Sequence, residues 1–388
     1  MPARYAQVAK ALFGSSNLVP DAKGNVSVSP EAAANINKDA HPYLPTWTRS
    51  EKYEPYEFIE VHDPAVRANK DLPNLFPKDG KYETNNISPK LGTEIKGIQL
   101  SQLDDAAKDE LALFAAQRGV LVFRDQDFLA KGPEYISEYV NYFGPTHIHP
   151  TSGAPKGAPD VHVVLSGGTK EDPFVTRNNL VGFHSDVSYE LNPTALSFLA
   201  ATNIPKAGGG DTVFASNTEA YERLSPLLRE RLEGLKAVHS GVDQANLAVF
   251  KKGVVKRHPV ENTHPIIRTT PLGQKVLYVN NGFTRRIEGL KEEESAVLLK
   301  FLLDHVWKGY DFQIRAHWEP NTVVLFDNRV VSHSAILDFD TTDQRLIIRA
   351  AARGERPVED LKDLNKKDEN NVYHGPEYLG DRLESLAI

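Results

Sequence analysis

Residues 345–349 read Arg-Leu-Ile-Ile-Arg. The side chains of this stretch alternate with period two, so Arg345, Ile347 and Arg349 face one way and the two residues between them face the other. This alternation is typical of a strand with two different faces. Two arginines on an inward face would be costly to bury unless they met anions. The stretch therefore predicts a strand that presents two cations to an anion-binding interior, with a pair of internal salt bridges as the alternative.

The rest of the chain predicts a mainly β protein with flanking helices. Further strands are predicted at Val120–Phe123, Val161–Leu165, Ala195–Thr202, Val276–Val279, Val323–Asp327 and Arg345–Ala351. Helices are predicted from the capping-box sequence Ser101–Asp104 to Gly119, and at Thr218–Leu235 and Glu292–Trp307. Many short strands with few helices indicate a closed or sandwiched β core with the helices outside.

Three regions are distinguished by their composition. Residues 1–85 have weak periodicity and are predicted to be a partly irregular N-terminal extension. Its aromatic residues between Tyr43 and Phe76 indicate that part of it wraps the main domain, while for residues 1–40 a loose tail is an equal expectation. Residues 86–357 are predicted to form the main domain, and residues 358–388 a C-terminal surface tail. The Gly- and Pro-rich segment Thr151–Val181 is the predicted lid.

Composition excludes several classes of protein. The 388-residue chain has no cysteine, which excludes disulfides, zinc-thiolate sites, iron-sulfur clusters and cysteine nucleophiles. Its formal charge of -7 argues against a general nucleic-acid binder, although a local basic pocket for a small anionic substrate is compatible with it. No run is long and apolar enough to span a membrane. Without a secretory pattern at the start, a cytoplasmic location is expected, and a homo-oligomer is left open.

Two distant stretches supply the ligands of a metal site. In His184-Ser185-Asp186 the two outer residues are two apart, so that in a strand they point to the same face. His333 is the candidate third ligand, which completes the two-histidine, one-carboxylate set of Fe(II) oxygenases. A His-x-acid match occurs about once by chance in such a chain. The rival match, His317-Trp318-Glu319, ranks lower because a proline follows it and no arginine pair accompanies it.

With these landmarks the sequence resembles the taurine/sulfonate dioxygenase family of Fe(II)- and 2-oxoglutarate-dependent enzymes. The resemblance runs from about Ile87 to Pro357, and the closing residues 356–362 are similar to the eukaryotic branch that acts on sulfonates. Its landmarks, in family order, are Gly119–Arg124, Phe143-Gly144, His147–Pro150, His184–Asp186, Gly209–Thr212, His264–Thr269, Val279–Ile287, Asp327–Arg329, His333, Arg345 and Arg349.

The resemblance implies a double-stranded β-helix, or jelly-roll, core and a full set of roles. The implied iron ligands, which are the catalytic residues, are His184, Asp186 and His333. The residues implied to hold 2-oxoglutarate are Arg345 and Thr212, and those implied to bind the substrate are His149, Phe283 and Arg349. The implied reaction uses Fe(II), 2-oxoglutarate and O2 to hydroxylate an organic sulfonate, with release of sulfite, an aldehyde, succinate and CO2.

The sequence departs from the family pattern near the substrate pocket. Phe183 stands where the family usually has Trp, Leu180 where it has an asparagine, and Thr270 where it has a His. Two alternatives therefore stay open. The same oxygenase chemistry could act on a carboxylate, a sulfate ester or a secondary metabolite. The chain could also be a non-catalytic jelly-roll protein that binds a metal.

Overall fold

A computed structural model describes residues 18–168, 182–251, 253–368 and 375–381. The strands of these ranges are β1 (Leu18–Pro20), β2 (Val26–Val28), β3 (Thr46–Trp47), β4 (Glu83–Asn86), β5 (Thr93–Lys96), β6 (Val120–Phe123), β7 (Val161–Gly167), β8 (Thr194–Asn203), β9 (Thr212–Ser216), β10 (Lys236–Ser240), β11 (Glu261–Pro265), β12 (Ile267–Thr269), β13 (Lys275–Leu277), β14 (Thr284–Ile287), β15 (Gln313–Ala316), β16 (Val323–Asp327), β17 (Val331–Ala335) and β18 (Gln344–Arg353). The helices are α1 (Pro30–Ala34), α2 (Asp105–Arg118), α3 (Pro133–Asn141), α4 (Asn217–Glu222), α5 (Pro226–Leu232), α6 (Val242–Phe250) and α7 (Glu292–Trp307). Within these ranges, no helix is both long enough and apolar enough to cross a membrane.

A large and a small β-sheet make up the centre of the protein. The large sheet has seven strands in the order β4-β5-β6-β16-β8-β18-β7, and the small one has three in the order β15-β9-β17. Apolar side chains from both sheets, among them Phe214, Phe326 and Ile347, form one buried cluster. The two sheets therefore pack face to face, in keeping with the predicted β core with helices outside.

Strand β18 has the two faces expected from its sequence. Leu346 and Ile348 pack into the core together with α2 and α3, on the outer face of the large sheet. Ile347 belongs instead to the cluster between the two sheets. Arg345 and Arg349 share its face and are buried, with 3% and 7% of their surface exposed. Both arginines therefore point into the interior, as predicted.

Two helix predictions were partly wrong. The N-cap of α2 is Asp104, whose side chain accepts a hydrogen bond from Ala107 N, so the cap lies three residues after Ser101. The second helix predicted from residue 218 to 235 is two helices, α4 and α5. The break falls at Ser225, which caps α5, and Pro226, which has no N–H to continue a preceding helix.

The described part of the N-terminal region packs on the main domain rather than lying apart from it. Buried residues such as Ile36, Tyr43 and Leu75 belong to the cluster on the outer face of the large sheet. Trp47 Nε1 donates a hydrogen bond to Thr151 O over 3.1 Å. At the other end, Val358 is buried and pairs with β12, so the residues after 357 do not lie wholly on the surface as expected.

Candidate metal centre and anion-binding pocket

The two predicted histidine ligands are joined directly by their backbones. His184 N donates to His333 O over 2.9 Å, and His333 N donates to His184 O over 2.8 Å. This isolated antiparallel bridge extends the pairing of β17 and brings the imidazole ring centroids within 4.3 Å of each other. Two residues that are far apart in sequence are thereby fixed side by side.

Asp186 completes the predicted triad. Its Oδ1 lies 3.8 Å from His184 Nε2 and 3.7 Å from His333 Nε2. One ligand atom from each of the three residues lies within 4.8 Å of the other two, and in the described part of the chain this is the only group of its kind. Two imidazoles and one carboxylate are the donor set that suits a non-haem Fe(II) centre with open positions. The residues therefore fit an iron ion.

The orientation of Asp186 depends on Asn328, which the sequence showed only as part of a landmark. Asn328 Oδ1 accepts a hydrogen bond from Asp186 N over 3.0 Å, and its Nδ2 donates to Ser197 Oγ over 2.7 Å. Ser197 Oγ in turn lies 3.4 Å from Asp186 Oδ2. The next residue, Val187, has a φ of 45°, a conformation that is strained for a β-branched side chain. This bend turns the chain away directly after the carboxylate.

The protonation states of the triad suit metal binding. Burial lowers the pKa of His184, and burial with the neighbouring imidazole lowers that of His333 to about 3. His184 Nδ1 lies 3.0 Å from Gly182 O, which places the proton on Nδ1 and leaves Nε2 as the ligand atom. Burial works to raise the pKa of Asp186, but Arg349 and the two imidazoles bring it down to about 2. Near neutral pH the triad is thus two neutral imidazoles and one carboxylate.

The two arginines of β18 differ in what they contact. Arg349 Nη1 donates a hydrogen bond to Asp186 Oδ1. For Arg345, by contrast, no carboxylate lies within salt-bridge distance in the described ranges, and its Nε is buried without a partner. Burial lowers the pKa of Arg345 to about 10, so it stays charged near neutral pH. The internal salt bridge weighed as an alternative therefore holds for Arg349 and not for Arg345.

The surroundings of Arg345 leave it available to an outside anion. The nearby Asp211 accepts from Arg315 Nε and His317 Nδ1, and Asp338 accepts from Arg315 Nη2. A Cβ added at Gly210 would come 2.7 Å from Arg345 Cδ, so only glycine allows the backbone to pass this close. Glycine also permits the φ of 71° found there. The rival histidine, His317, contacts Asp211 through Nδ1 and does not belong to the metal-binding group found among the described residues.

Thr212 and Phe283 lie beside the triad. Thr212 is buried and pairs with Ala335, two residues from His333, on the face of the small sheet that carries His333. The Phe283 ring is buried, and its centroid lies 6.1 Å from that of His184. Both residues therefore lie near the metal ligands, and their roles in binding stay predictions.

His149 is fixed as a hydrogen-bond donor. Its Nδ1 accepts from Thr151 N over 3.2 Å and from Ser152 N over 3.1 Å, which places the proton on Nε2. Burial and the charge of Arg349 hold the pKa of His149 well below its usual range. The ring is therefore neutral and offers Nε2–H as its donor.

His162 lies near the pocket but was given no role from the sequence. Its ring centroid lies 4.3 Å from that of His149. It belongs to a regular strand of mostly apolar residues, and nothing in Val161–Leu165 marks one histidine as functional. Residues 169–181 of the predicted lid, including Leu180, lie outside the described residues.

The comparisons with known proteins agree on one group of enzymes. Residues 83–351 match the model of the family described as "Taurine catabolism dioxygenase TauD, TfdA family". The alpha-ketoglutarate-dependent sulfonate dioxygenase of Saccharomyces cerevisiae is 46% identical over 359 residues, covering 89% of this chain and 86% of its own. An alpha-ketoglutarate-dependent dioxygenase of Penicillium expansum is 41% identical, covering 81% of this chain and 86% of its own. The crystal structure of a taurine dioxygenase from Burkholderia xenovorans aligns with a TM-score of 0.59 and 27% identity, covering 77% of this chain and 96% of that one.

Proposed function

This chain belongs to the taurine catabolism dioxygenase TauD/TfdA family, and from that premise we propose that it hydroxylates an organic sulfonate. It is a 2-oxoglutarate-dependent dioxygenase that uses Fe(II) and O2, as are its named relatives, since 2-oxoglutarate and alpha-ketoglutarate are the same compound. The observation that carries the proposal is the closure of His184, Asp186 and His333 into one metal-binding group beside Arg349. The sulfonate is supported by the name of the Saccharomyces cerevisiae relative.

The iron would be held by His184, Asp186 and His333. Bound Fe(II) and 2-oxoglutarate supply the oxidising chemistry, in which O2 is consumed and 2-oxoglutarate becomes succinate and CO2. The protein keeps both imidazoles neutral by burial and fixes the ring of His184 through Gly182 O. Asn328 holds the backbone N–H of Asp186 and also Ser197, whose hydroxyl lies beside the carboxylate. The ligands are therefore oriented and deprotonated before any metal arrives.

Two different anions are proposed for the two arginines. Arg345 and Arg349 lie four residues apart on one strand, which separates them by about 13 Å along the inner face. Arg345 has no carboxylate partner among the described residues and lies on the far side of Ile347 from the triad. It would therefore hold the distal carboxylate of 2-oxoglutarate, with Thr212 contributing its hydroxyl. Arg349 touches the triad and would bind the sulfonate together with His149.

The remaining pocket residues would exclude water and orient the substrate. Phe283 packs with Val187, Tyr189 and Val260 in a small buried cluster next to His184. With the sulfonate held at Arg349, the carbon bonded to sulfur would face the metal. Hydroxylation of that carbon gives an α-hydroxysulfonate, whose C–S bond breaks to leave an aldehyde and sulfite.

We also propose that the two packed sheets are the two halves of a double-stranded β-helix. The catalytic domain of the protein would comprise residues 86–357, nearly the same range as residues 83–351, which match the family model. The large seven-stranded sheet and the small three-stranded sheet face each other across the triad, as the two layers of such a core do.

A substrate panel tests the proposed function. The purified protein would be supplied with Fe(II), 2-oxoglutarate and O2, and with taurine, linear alkanesulfonates, alkyl sulfates or alkanoates in turn. We expect sulfonate-dependent formation of succinate together with an equal amount of sulfite. Succinate that depends only on alkanoates or alkyl sulfates would overturn the sulfonate assignment while leaving the dioxygenase chemistry intact.

A further inference from the structure

We propose that His162 is a further specificity-determining residue, which binds the anionic head group of the substrate together with Arg349 and His149. The proposal rests on the proposed function, because it names a third contact in the same pocket. The sequence alone assigned no role to His162.

The position of His162 in the large sheet puts it on the face of Arg349. In the pairing of β7 with β18, His162 stands directly opposite Arg349. Val161 and Val163, its neighbours, point the other way into the outer core. Side chains that are directly opposite on one face have Cβ atoms about 4.5–5.5 Å apart. His162 therefore lies beside the guanidinium of Arg349 on the inner face.

The surroundings of the His162 ring leave a polar atom unused. The ring lies against that of His149, with 4.3 Å between the centroids and 31° between the planes. Its Nδ1 is buried and has no hydrogen-bond partner among the described residues. A buried polar atom of this kind costs free energy until a partner reaches it. Because burial also lowers the pKa of His162, the ring is neutral and carries a single N–H, which would lie on Nδ1 where it meets the anion.

Three donors fit a head group with three oxygens. A sulfonate presents three equivalent oxygens, whereas a carboxylate presents two in one plane. The guanidinium of Arg349, Nε2–H of His149 and Nδ1–H of His162 come from β18, from the loop before β7, and from β7 itself. Donors that converge from three segments suit a tetrahedral group better than a planar one. His162 would therefore favour sulfonates over carboxylates of the same chain length.

Three substitutions separate binding from packing. His162→Val removes both ring nitrogens and keeps a side chain that suits a strand. His162→Asn retains an N–H donor near the position of Nδ1, and His162→Gln places one near Nε2 instead. Each variant would be assayed for the sulfonate KM, the 2-oxoglutarate KM, and the melting temperature with and without the best sulfonate. His41→Asn, at an exposed histidine outside the pocket, is the matched control.

The expected result is a selective loss of sulfonate binding. His162→Val should raise the sulfonate KM roughly 10- to 100-fold, as expected when one hydrogen bond to a charged group is lost. The 2-oxoglutarate KM should not change, and the sulfonate should no longer raise the melting temperature. His162→Asn should recover most of the affinity and His162→Gln should not. Pentane-1-sulfonate and hexanoate carry the same alkyl chain, so their comparison isolates the head group. The preference for the sulfonate should fall in His162→Val and His162→Gln and should be largely kept in His162→Asn.

Three outcomes would overturn the proposal. An unchanged sulfonate KM in His162→Val would show that the ring only fills space. Equal losses for the sulfonate and for 2-oxoglutarate would indicate a structural role, as would equal recovery by Asn and Gln. If the wild-type protein itself released no sulfite from any sulfonate, the proposed function would fail first, and the role of His162 would fail with it. The wild-type assay therefore distinguishes the two failures.

Discussion

Arg349 Nη1 donates a hydrogen bond to Asp186 Oδ1, the same oxygen that faces Nε2 of both His184 and His333. One carboxylate oxygen is therefore shared between a guanidinium and the position a metal would take. A metal at the triad would compete with Arg349 for this oxygen, and a guanidinium released from it would be free to bind the substrate. The hydrogen bond would thus couple the proposed binding of the metal to that of the substrate.

We therefore predict that Arg349→Gln separates metal binding from substrate binding. The variant should bind Fe(II) or Mn(II) at least as tightly as the wild type, because a competing cation is gone. Its sulfonate KM should rise by about 100-fold, since the lost partner is charged and buried. Anaerobic titration calorimetry with the metal, followed by steady-state kinetics, measures both. A weaker metal affinity would show instead that Arg349 positions Asp186 for the metal.

Alanine at Asp186 should abolish metal binding and succinate formation together. The reason is that the donor set loses its one anionic ligand and leaves Arg349 buried without a partner. Metal binding is measured by the rise in melting temperature on adding Mn(II), which should vanish in the variant. The matched control is His317→Ala, which removes the rival His-x-acid histidine and should keep the metal-dependent rise. Near-normal turnover in Asp186→Ala would contradict the assigned ligand.

Arg345→Ala should weaken the binding of 2-oxoglutarate and leave the affinity for the metal unchanged. A lost charge-assisted bidentate contact corresponds to roughly a 100-fold rise in the 2-oxoglutarate KM. Arg345→Lys should recover part of it, because the ammonium keeps the charge without the planar fork. Arg315→Ala should give a smaller rise, since it frees Asp211 and Asp338 to pair with Arg345. A saturation curve for 2-oxoglutarate that is unchanged in Arg345→Ala would exclude its role.

The sequence predicted those parts of the site that follow from local periodicity. The period-two pattern of β18 placed Arg345 and Arg349 on the inner face, and the spacing of His184 and Asp186 placed both in one potential metal-binding group. It did not predict which arginine is paired, because that depends on where Asp186 arrives after a turn at Val187. It missed His162 because the role of that residue depends on strand register. Both the pairing of the two arginines and the position of His162 depend on tertiary structure, which a local sequence pattern does not show.

The contacts of the N-terminal region with the main domain also depend on tertiary structure, and Tyr56 makes several of them. The hydroxyl of Tyr56 accepts from Ile148 N over 2.9 Å, between His147 and His149. The guanidinium carbons of Arg257 and Arg353 lie 3.7 and 4.0 Å from the centre of its ring. Tyr56 thus ties residues before 85 to the loop that carries His149.

Replacing Tyr56 should therefore affect both stability and substrate binding. Tyr56→Phe loses one hydrogen bond and should lower the free energy of unfolding by about 1 kcal/mol. Tyr56→Ala also loses two cation–π contacts, and a loss of about 2–4 kcal/mol is expected. Urea denaturation measures these values. In Tyr56→Phe the sulfonate KM should rise while the 2-oxoglutarate KM stays constant. An unchanged sulfonate KM would show that this hydrogen bond does not position His149, and an equal rise in both KM values would indicate a general structural effect instead.

The buried His264 should make stability depend on pH below neutrality. Burial lowers its pKa to about 3 in the folded protein, below the value near 6.5 of an unfolded chain, while its Nε2 lies 3.0 Å from Glu190 O. Between these values the unfolded state binds a proton that the folded state does not. The stabilising contribution is therefore complete above pH 6.5 and is lost progressively as the pH falls towards 3.

His264→Gln keeps a donor near Nε2 but cannot titrate, so the dependence of unfolding free energy on pH should be shallower by about 1.4 kcal/mol per pH unit between pH 4 and 6. Urea denaturation across this range measures both slopes, which should coincide above pH 7. Equal slopes at pH 4–6 would mean that His264 is already protonated in the folded protein.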